Sequence, residues 1–267
     1  MIIDKIDKTS LKEYLILCST FVDIDVDYFY DVTISYINQH DKKSYDIEKF
    51  NHIQNMLNIW NSSLEKNEPD YSVYLDPYYF CEVLLCWVRY SRRTIKEMQS
   101  KKSLFGKSII DDMTDIDCVI DLGCGFGYTT AALKEIYPNA TVIGTNIENS
   151  LQYKIAEKIS TQNNFKMKSN FVDMKADLIF ASEYFEHFER PVEHLIDVIT
   201  KTNPKYLIVA NSFGPMAIGH FNIYKHLNLT LTPKQTSKLF TKTLNDFGYT
   251  KMKTNCWNSR PTYFRKK

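Results

Sequence analysis

Glu183, Glu186 and His187 fall at i, i+3 and i+4 in the run S-E-Y-F-E-H-F-E-R-P that starts at Ser182. If that run turns as a helix, two carboxylates and an imidazole share one face. Such a set can hold a divalent cation: the carboxylates favour magnesium or manganese, and the imidazole tilts the choice toward manganese. Without a metal, the same imidazole is a candidate base. A second stretch with chemical potential lies upstream, V-I-D-L-G-C-G-F-G-Y from Val119 to Tyr128. Gly123, Gly125 and Gly127 alternate behind Asp121, so the backbone can turn sharply and approach a ligand closely, ahead of a helix whose first N–H groups are unpaired. This reads as the mouth of a nucleotide-type cofactor site, with a ligand-free strand-to-helix turn as the plain alternative.

Both stretches need a sheet to position them. Cys118, Val119 and Ile120 form a β-branched run that suits a buried parallel strand ending at Asp121. Further strands are expected at Thr141–Thr145, Phe165–Met167, Asp177–Ala181 and Tyr206–Ala210. Between them, Ala132, Leu133, Ile136 and Tyr137 give one helix its apolar face, stopped at Pro138, and a second helix is expected from Asn149 through Ile155, Ala156 and Ile159. The alternation predicts an α/β, doubly wound sheet. Such sheets bind ligands at the carboxyl ends of their strands, the edge where Asp121 and residues 182–187 lie. Thr232, Pro233 and Gln235 then start a capped helix, Leu239, Phe240, Leu244 and Phe247 are its buried face, and Gly248 closes it. Lys251–Trp257 and Pro261–Arg265 read as a hairpin.

The pattern D-L-G-C-G-F-G resembles motif I of the class I S-adenosylmethionine-dependent methyltransferases, and it differs in spacing from the G-x-G-x-x-G of dinucleotide-binding folds. The resemblance covers residues 116–267 and implies a seven-stranded sheet with a terminal antiparallel hairpin, S-adenosylmethionine as cofactor, and methyl transfer to oxygen or nitrogen. It implies a cofactor shell of Asp121 near the methionine end, Gly123, Cys124, Gly125 and Gly127 under the sugar, Asn146 and Ile147 after the second strand, Asp173 in the loop beside the adenine, and Ser182. Asn146 stands where the family usually has an acidic residue; an amide still donates and accepts, and Glu148 is two residues on. The spacing E-x-x-E-H is similar to the metal-binding motif of the small-RNA 2′-O-methyltransferases and the ubiquinone-pathway O-methyltransferases. The RNA group adds a histidine after the fifth strand, matched here by His220. The resemblance leaves two readings: magnesium or manganese held by Glu183, Glu186, His187 and His220, or a metal-free site in which His187 or His220 is the base and Glu186 braces the loop.

Residues 1–115 read as a helical N-terminal extension and a candidate substrate lid ahead of a methyltransferase domain at 116–267. Ser10 and Glu13 have capping-box spacing ahead of Leu11, Tyr14, Leu15 and Cys18. Asp27 is expected to cap a helix buried through Phe29, Val32, Thr33, Tyr36 and Ile37, and another carries Ile47, Phe50, Leu57 and Trp60. D-I-D-V-D at 23–27 is no calcium loop, because Tyr28 and Ile34 occupy the positions that need glycine and glutamate. Asp76-Pro77-Tyr78-Tyr79 is similar to the D-P-P-Y motif of amino-methylating enzymes but reads as an N-cap and first helical residue, ahead of Phe80, Leu84, Trp87, Val88 and Ile95. Arg89, Arg92 and Arg93 make a solvated face or a phosphate patch. Tyr71, Tyr74, Tyr78 and Tyr79 form an aromatic cluster suited to core packing or to a pocket wall.

The chain has 33 basic and 32 acidic side chains in 267 residues, so no bulk field favours nucleic acid or an anionic membrane. Six cysteines show no C-x-x-C pairing, which argues against a structural zinc site and suggests a reduced compartment. Charges at Asp4, Lys5, Asp7 and Lys8 break any signal core, and a soluble cytoplasmic protein with no membrane partner is expected. A small-molecule methyl acceptor fits the neutral balance best; RNA or another macromolecule is the alternative, with a non-catalytic cofactor-binding module as a further one, and the sequence fixes no oligomeric state.

Overall fold

In the sheet, β1 (Cys118–Leu122), β2 (Thr141–Thr145), β3 (Lys166–Lys168), β4 (Leu178–Ser182) and β5 (Tyr206–Ala210) are parallel. A separate two-stranded ribbon joins β6 (Tyr224–His226) to β7 (Leu229–Leu231), and the chain ends in β8 (Tyr249–Lys251) and β9 (Thr262–Lys266). The seven-stranded order is β3-β2-β1-β4-β5-β9-β8, with β9 antiparallel to both neighbours. The computed structural model describes residues 12, 15–16, 19–20, 25–42, 51–86, 98–99, 108–214, 217–252 and 261–267.

Side chains along the strands alternate between two cores, as period-two pleating requires. Val119, Val142, Phe180, Ile208 and Tyr263 face the helices Tyr128–Ile136 and Leu151–Asn163. Ile120, Ile143, Ile179, Leu207 and Phe264 face Pro191–Thr202 and Pro233–Asp246. Phe29, Ile53, Met56, Trp60, Phe80 and Leu84 of the N-terminal helices belong to the first of these cores. The order reverses between β1 and β4, which pair in parallel from Val119 opposite Leu178 to Leu122 opposite Ala181. That switch point opens a crevice at the carboxyl ends of both strands.

Local expectations from sequence hold with several shifts. The capping box of Thr232 and Gln235 is formed, and Asp76 accepts from the Tyr78 N–H with Pro77 in the first helical turn. Asp27 is not the cap of the helix Val26–Lys42: the Asp25 carboxylate accepts the Tyr28 N–H at 2.7 Å, because Asp27 already lies inside the first turn. Asn149 has φ +64 and stays outside the helix that Ser150 caps. The hairpin's first strand is Tyr249–Lys251, earlier than expected, and the β6–β7 ribbon is an addition. Ser10, Glu13, Arg89, Arg92 and Arg93 lie outside the described residues.

Candidate active site

Asp121 is buried at the end of β1, and its carboxylate accepts the Thr130 hydroxyl at 2.7 Å. Burial raises its pKa to about 7, with the Thr130 bond acting in the opposite sense. Gly123, Gly125 and Gly127 all have positive φ. A Cβ at Gly123 would also lie 2.5 Å from the Tyr184 ring, so both conformation and space demand glycine there. The Cys124 N–H donates to the Thr145 carbonyl at 2.9 Å, tying the loop to β2. Asn146 reinforces that tie: its amide donates to the Gly125 carbonyl at 3.0 Å and accepts the Ile147 N–H at 2.8 Å. Its polar atoms are thus engaged in bracing the loop.

These groups open onto a cavity of about 1060 Å³. Asp121, Gly123, Cys124, Gly125, Asn146, Ile147 and Ser182 line it. Gly127 and Asp173 are not among its lining residues. Gly127 instead caps the following helix, and Asp173 is exposed at φ +61, so the chain turns away and Asn170 and Phe171 take the place expected of Asp173. Tyr71, Tyr74 and Tyr79 of the N-terminal helical segment line the cavity as well.

The E-x-x-E-H run does not form the single helical face its spacing suggests. Glu183 has φ +49, and only Phe185–His187 make a short 3-10 turn. The donors converge differently: one ligand atom each from Glu183, Glu186 and His220 lie within 4.8 Å of one another. Glu186 is fully buried; Oε1 accepts the Ser212 N–H at 2.6 Å, and Oε2 has no hydrogen-bond partner among the described residues. His220 Nδ1 donates to the Gly214 carbonyl at 3.0 Å, since a carbonyl only accepts, which leaves Nε2 as the nitrogen available to a ligand. Two carboxylates, one of them with an orphaned buried oxygen, and one free imidazole nitrogen fit a magnesium- or manganese-type ion. Glu183 and His220 line the cavity, whereas Glu186, expected from sequence among the catalytic groups, is not among its lining residues.

His187 is outside this trio. Its Nδ1 lies 2.9 Å from the Tyr74 hydroxyl, and its ring stands edge-on to His220 at 4.9 Å. Desolvation, then the neighbouring His220, hold its pKa well below the ordinary histidine value, against a backbone hydrogen bond with Gly219. It is therefore a neutral imidazole at the cavity wall, with one acceptor nitrogen.

Sequence reasoning missed Tyr184 and His194. The Tyr184 hydroxyl and His194 Nε2 are 2.9 Å apart, His194 stacks on Phe188 at 3.9 Å, and both line the cavity beside Gly123. Burial lowers His194 to about 4, so this pair is uncharged. Tyr184 precedes the 3-10 turn and His194 lies in the helix Pro191–Thr202, so no single local period links them.

Residues 120–204 match the family described as "Methyltransferase domain". A Ubiquinone biosynthesis O-methyltransferase of Rickettsia bellii is 28% identical over 118 residues, 40% of this chain and 46% of that protein. The chain thus spans about half the length of the curated relatives it matches. Among solved structures, the S-adenosylmethionine-dependent methyltransferase SibL, in its apo form, superposes with TM-score 0.51 at 13% identity, covering 89% of this chain and 74% of its own. A Nostoc punctiforme protein assigned as an O-methyltransferase gives TM-score 0.50 at 12% identity over 79% and 68%. At such identities the likeness concerns the fold, and the SibL superposition extends over the N-terminal helices as well as the sheet. The sheet order with its inserted antiparallel β9, the glycine loop at the switch point and the match of residues 120–204 together support a class I S-adenosylmethionine-dependent methyltransferase domain in this chain.

Proposed function

We propose that this protein transfers the methyl group of S-adenosylmethionine to an oxygen nucleophile on a small organic acceptor. The observation that carries the reading is a single cavity joining the glycine loop and Asp121 to the Tyr71, Tyr74 and Tyr79 wall. Its volume, about 1060 Å³, lies at the upper end for a ligand site and suits two molecules side by side. The name of the Rickettsia bellii relative, an O-methyltransferase, supports oxygen over nitrogen.

Bound S-adenosylmethionine supplies an electrophilic methyl carbon on a sulfonium, and the protein's task is alignment, exclusion of water and removal of one proton. Asp121, ionised, suits the ammonium of the methionyl end. The glycine loop offers backbone N–H groups and room, and Asn146 holds that loop in shape. The tyrosine wall excludes water from the acceptor side, and neutral His187 accepts the acceptor's proton.

A second reading keeps the same transfer and adds an ion, on the strength of the converged trio Glu183, Glu186 and His220. When bound there, magnesium or manganese would lower the pKa of an acceptor hydroxyl. Calorimetry with S-adenosylhomocysteine and labelled-methyl transfer to a panel of phenols, alcohols, amines and RNA test the first reading. Binding with turnover on hydroxylated small molecules is expected; transfer confined to RNA or to amines would overturn the acceptor assignment. For the ion, chelator should abolish transfer and manganese restore it, and Glu186→Gln should weaken the metal response about 10- to 100-fold while S-adenosylhomocysteine affinity holds. Chelator-insensitive turnover would leave His187 as the base by itself.

A further inference from the structure

We propose that Tyr74 is the positioning residue for His187, so that the segment ahead of the methyltransferase domain supplies a working part of the active site. The proposal rests on the reading of this cavity as the site of methyl transfer, with the His187 imidazole on its wall. The two side chains come from positions 113 apart in sequence, and the Tyr74 hydroxyl meets His187 Nδ1 at 2.9 Å. A tyrosine hydroxyl can donate or accept, so the bond at Nδ1 does not by itself choose the tautomer; it fixes the plane and direction of the ring, with the backbone hydrogen bond to Gly219 as a second hold. It also stops the ring from turning over, which would exchange the two nitrogens.

Three observations show that this bond is built. Tyr74 is anchored from the cofactor side, because the buried amide of Gln152, in the helix after β2, donates to the Tyr74 carbonyl at 3.1 Å. Its ring is gripped edge-on by Tyr79 at 5.0 Å and tilted against Trp60 at 6.4 Å. Trp60 in turn donates its indole N–H to the His220 carbonyl at 2.7 Å, tying the same aromatic group to the loop after β5. Third, the backbone at Gly219 passes directly behind the pair. A Cβ there would fall 2.0 Å from the Tyr74 hydroxyl and 2.5 Å from His187 Nδ1, and Gly219 has φ +83. Glycine at 219 is thus what allows the hydroxyl and the imidazole to meet.

Tyr74→Phe removes the hydroxyl and keeps the ring. Its fold is checked by S-adenosylhomocysteine affinity, expected within twofold of the parent. The first readout needs no turnover: ring ¹⁵N spectra of histidine-labelled protein, with the His187 signals assigned by their loss in His187→Gln. The parent should show one sharp set of His187 ring signals, and Tyr74→Phe a shifted, broadened set as Nδ1 loses its partner. In turnover with an acceptor from the panel, kcat should fall about 10- to 100-fold with KM for S-adenosylmethionine unchanged, the scale of a misplaced catalytic group. Adding Tyr74→Phe to His187→Gln should cause no further loss, and Gly219→Ala should reproduce the Tyr74→Phe spectrum with the hydroxyl still present. Unchanged His187 ring signals in Tyr74→Phe would overturn the proposal. So would full additivity of the two losses, since Tyr74 would then act by another route. If no acceptor is methylated, the functional reading fails while the spectra still decide the Tyr74–His187 pairing.

Discussion

At Asp121 the fold holds a carboxylate away from water with one hydroxyl for company, and its charge state is therefore poised to respond to a cationic ligand. Its folded pKa, about 7, lies above the ordinary 3.8, so folding favours the neutral form. The stability linked to it is complete below about pH 4 and is lost as pH rises through about 7. An ammonium partner reverses the sense, since it selects the ionised carboxylate. Affinity for S-adenosylhomocysteine should therefore rise about tenfold from pH 6 to pH 8, and Asp121→Asn should bind weakly with a flat profile. Calorimetry across that range checks it, and thermal melts without ligand should show the parent losing more stability than Asp121→Asn over the same interval. Asn146, by contrast, is committed to bracing Gly125. The departure from an acidic residue at that position thus has a structural use that its identity does not announce.

Among the elements, the helix Asn51–Glu65 does more than cover the sheet. Trp60, fully buried on it, packs edge-on to Phe221 at 5.3 Å and bonds to the carbonyl of His220, so the helix is keyed into the loop that carries a candidate ligand. Trp60→Phe removes the indole N–H, leaves that carbonyl unmatched and opens a small void, at a cost of about 2–4 kcal/mol. The expected result in a denaturant titration is a lower midpoint with unchanged slope, together with a loss of transfer larger than any loss of S-adenosylhomocysteine affinity. If transfer and affinity fall in parallel, the helix serves stability alone. The short turn Phe185–His187 carries a related lesson: E-x-x-E-H has helical spacing, yet the positive φ at Glu183 breaks the helix before it starts. Contact with His220 and Ser212 decides where these groups point.

For the molecule as a whole, the N-terminal helices and one face of the sheet share a continuous apolar core. A detachable lid would leave that face covered when removed, whereas deleting residues 1–70 here takes Phe29, Ile53, Met56 and Trp60 out of the core. The truncated chain should bind an apolar-surface dye strongly and melt at lower temperature than the full chain; a truncated chain that melts like its parent would restore the detachable-lid view. No helix among the described residues is long and apolar enough to cross a membrane. The sequence by itself determined the strands Thr141–Thr145 and Tyr206–Ala210, the capped start of the last helix and the glycine loop, because pleat period, capping and φ preference act over a few residues. The added ribbon, two strands of three residues with Leu229 exposed, carries no alternation that this local rule could read. Only the tertiary structure decided that His220, and not His187, joins Glu183 and Glu186, and that Asp173 stays outside the cavity. The first goes with Tyr74 reaching His187 and with the loop after β5 closing over Glu186, contacts between segments 113 and 26 residues apart. Spacing along the chain carries no record of them; they are fixed when the N-terminal helices and the sheet bury their apolar faces together.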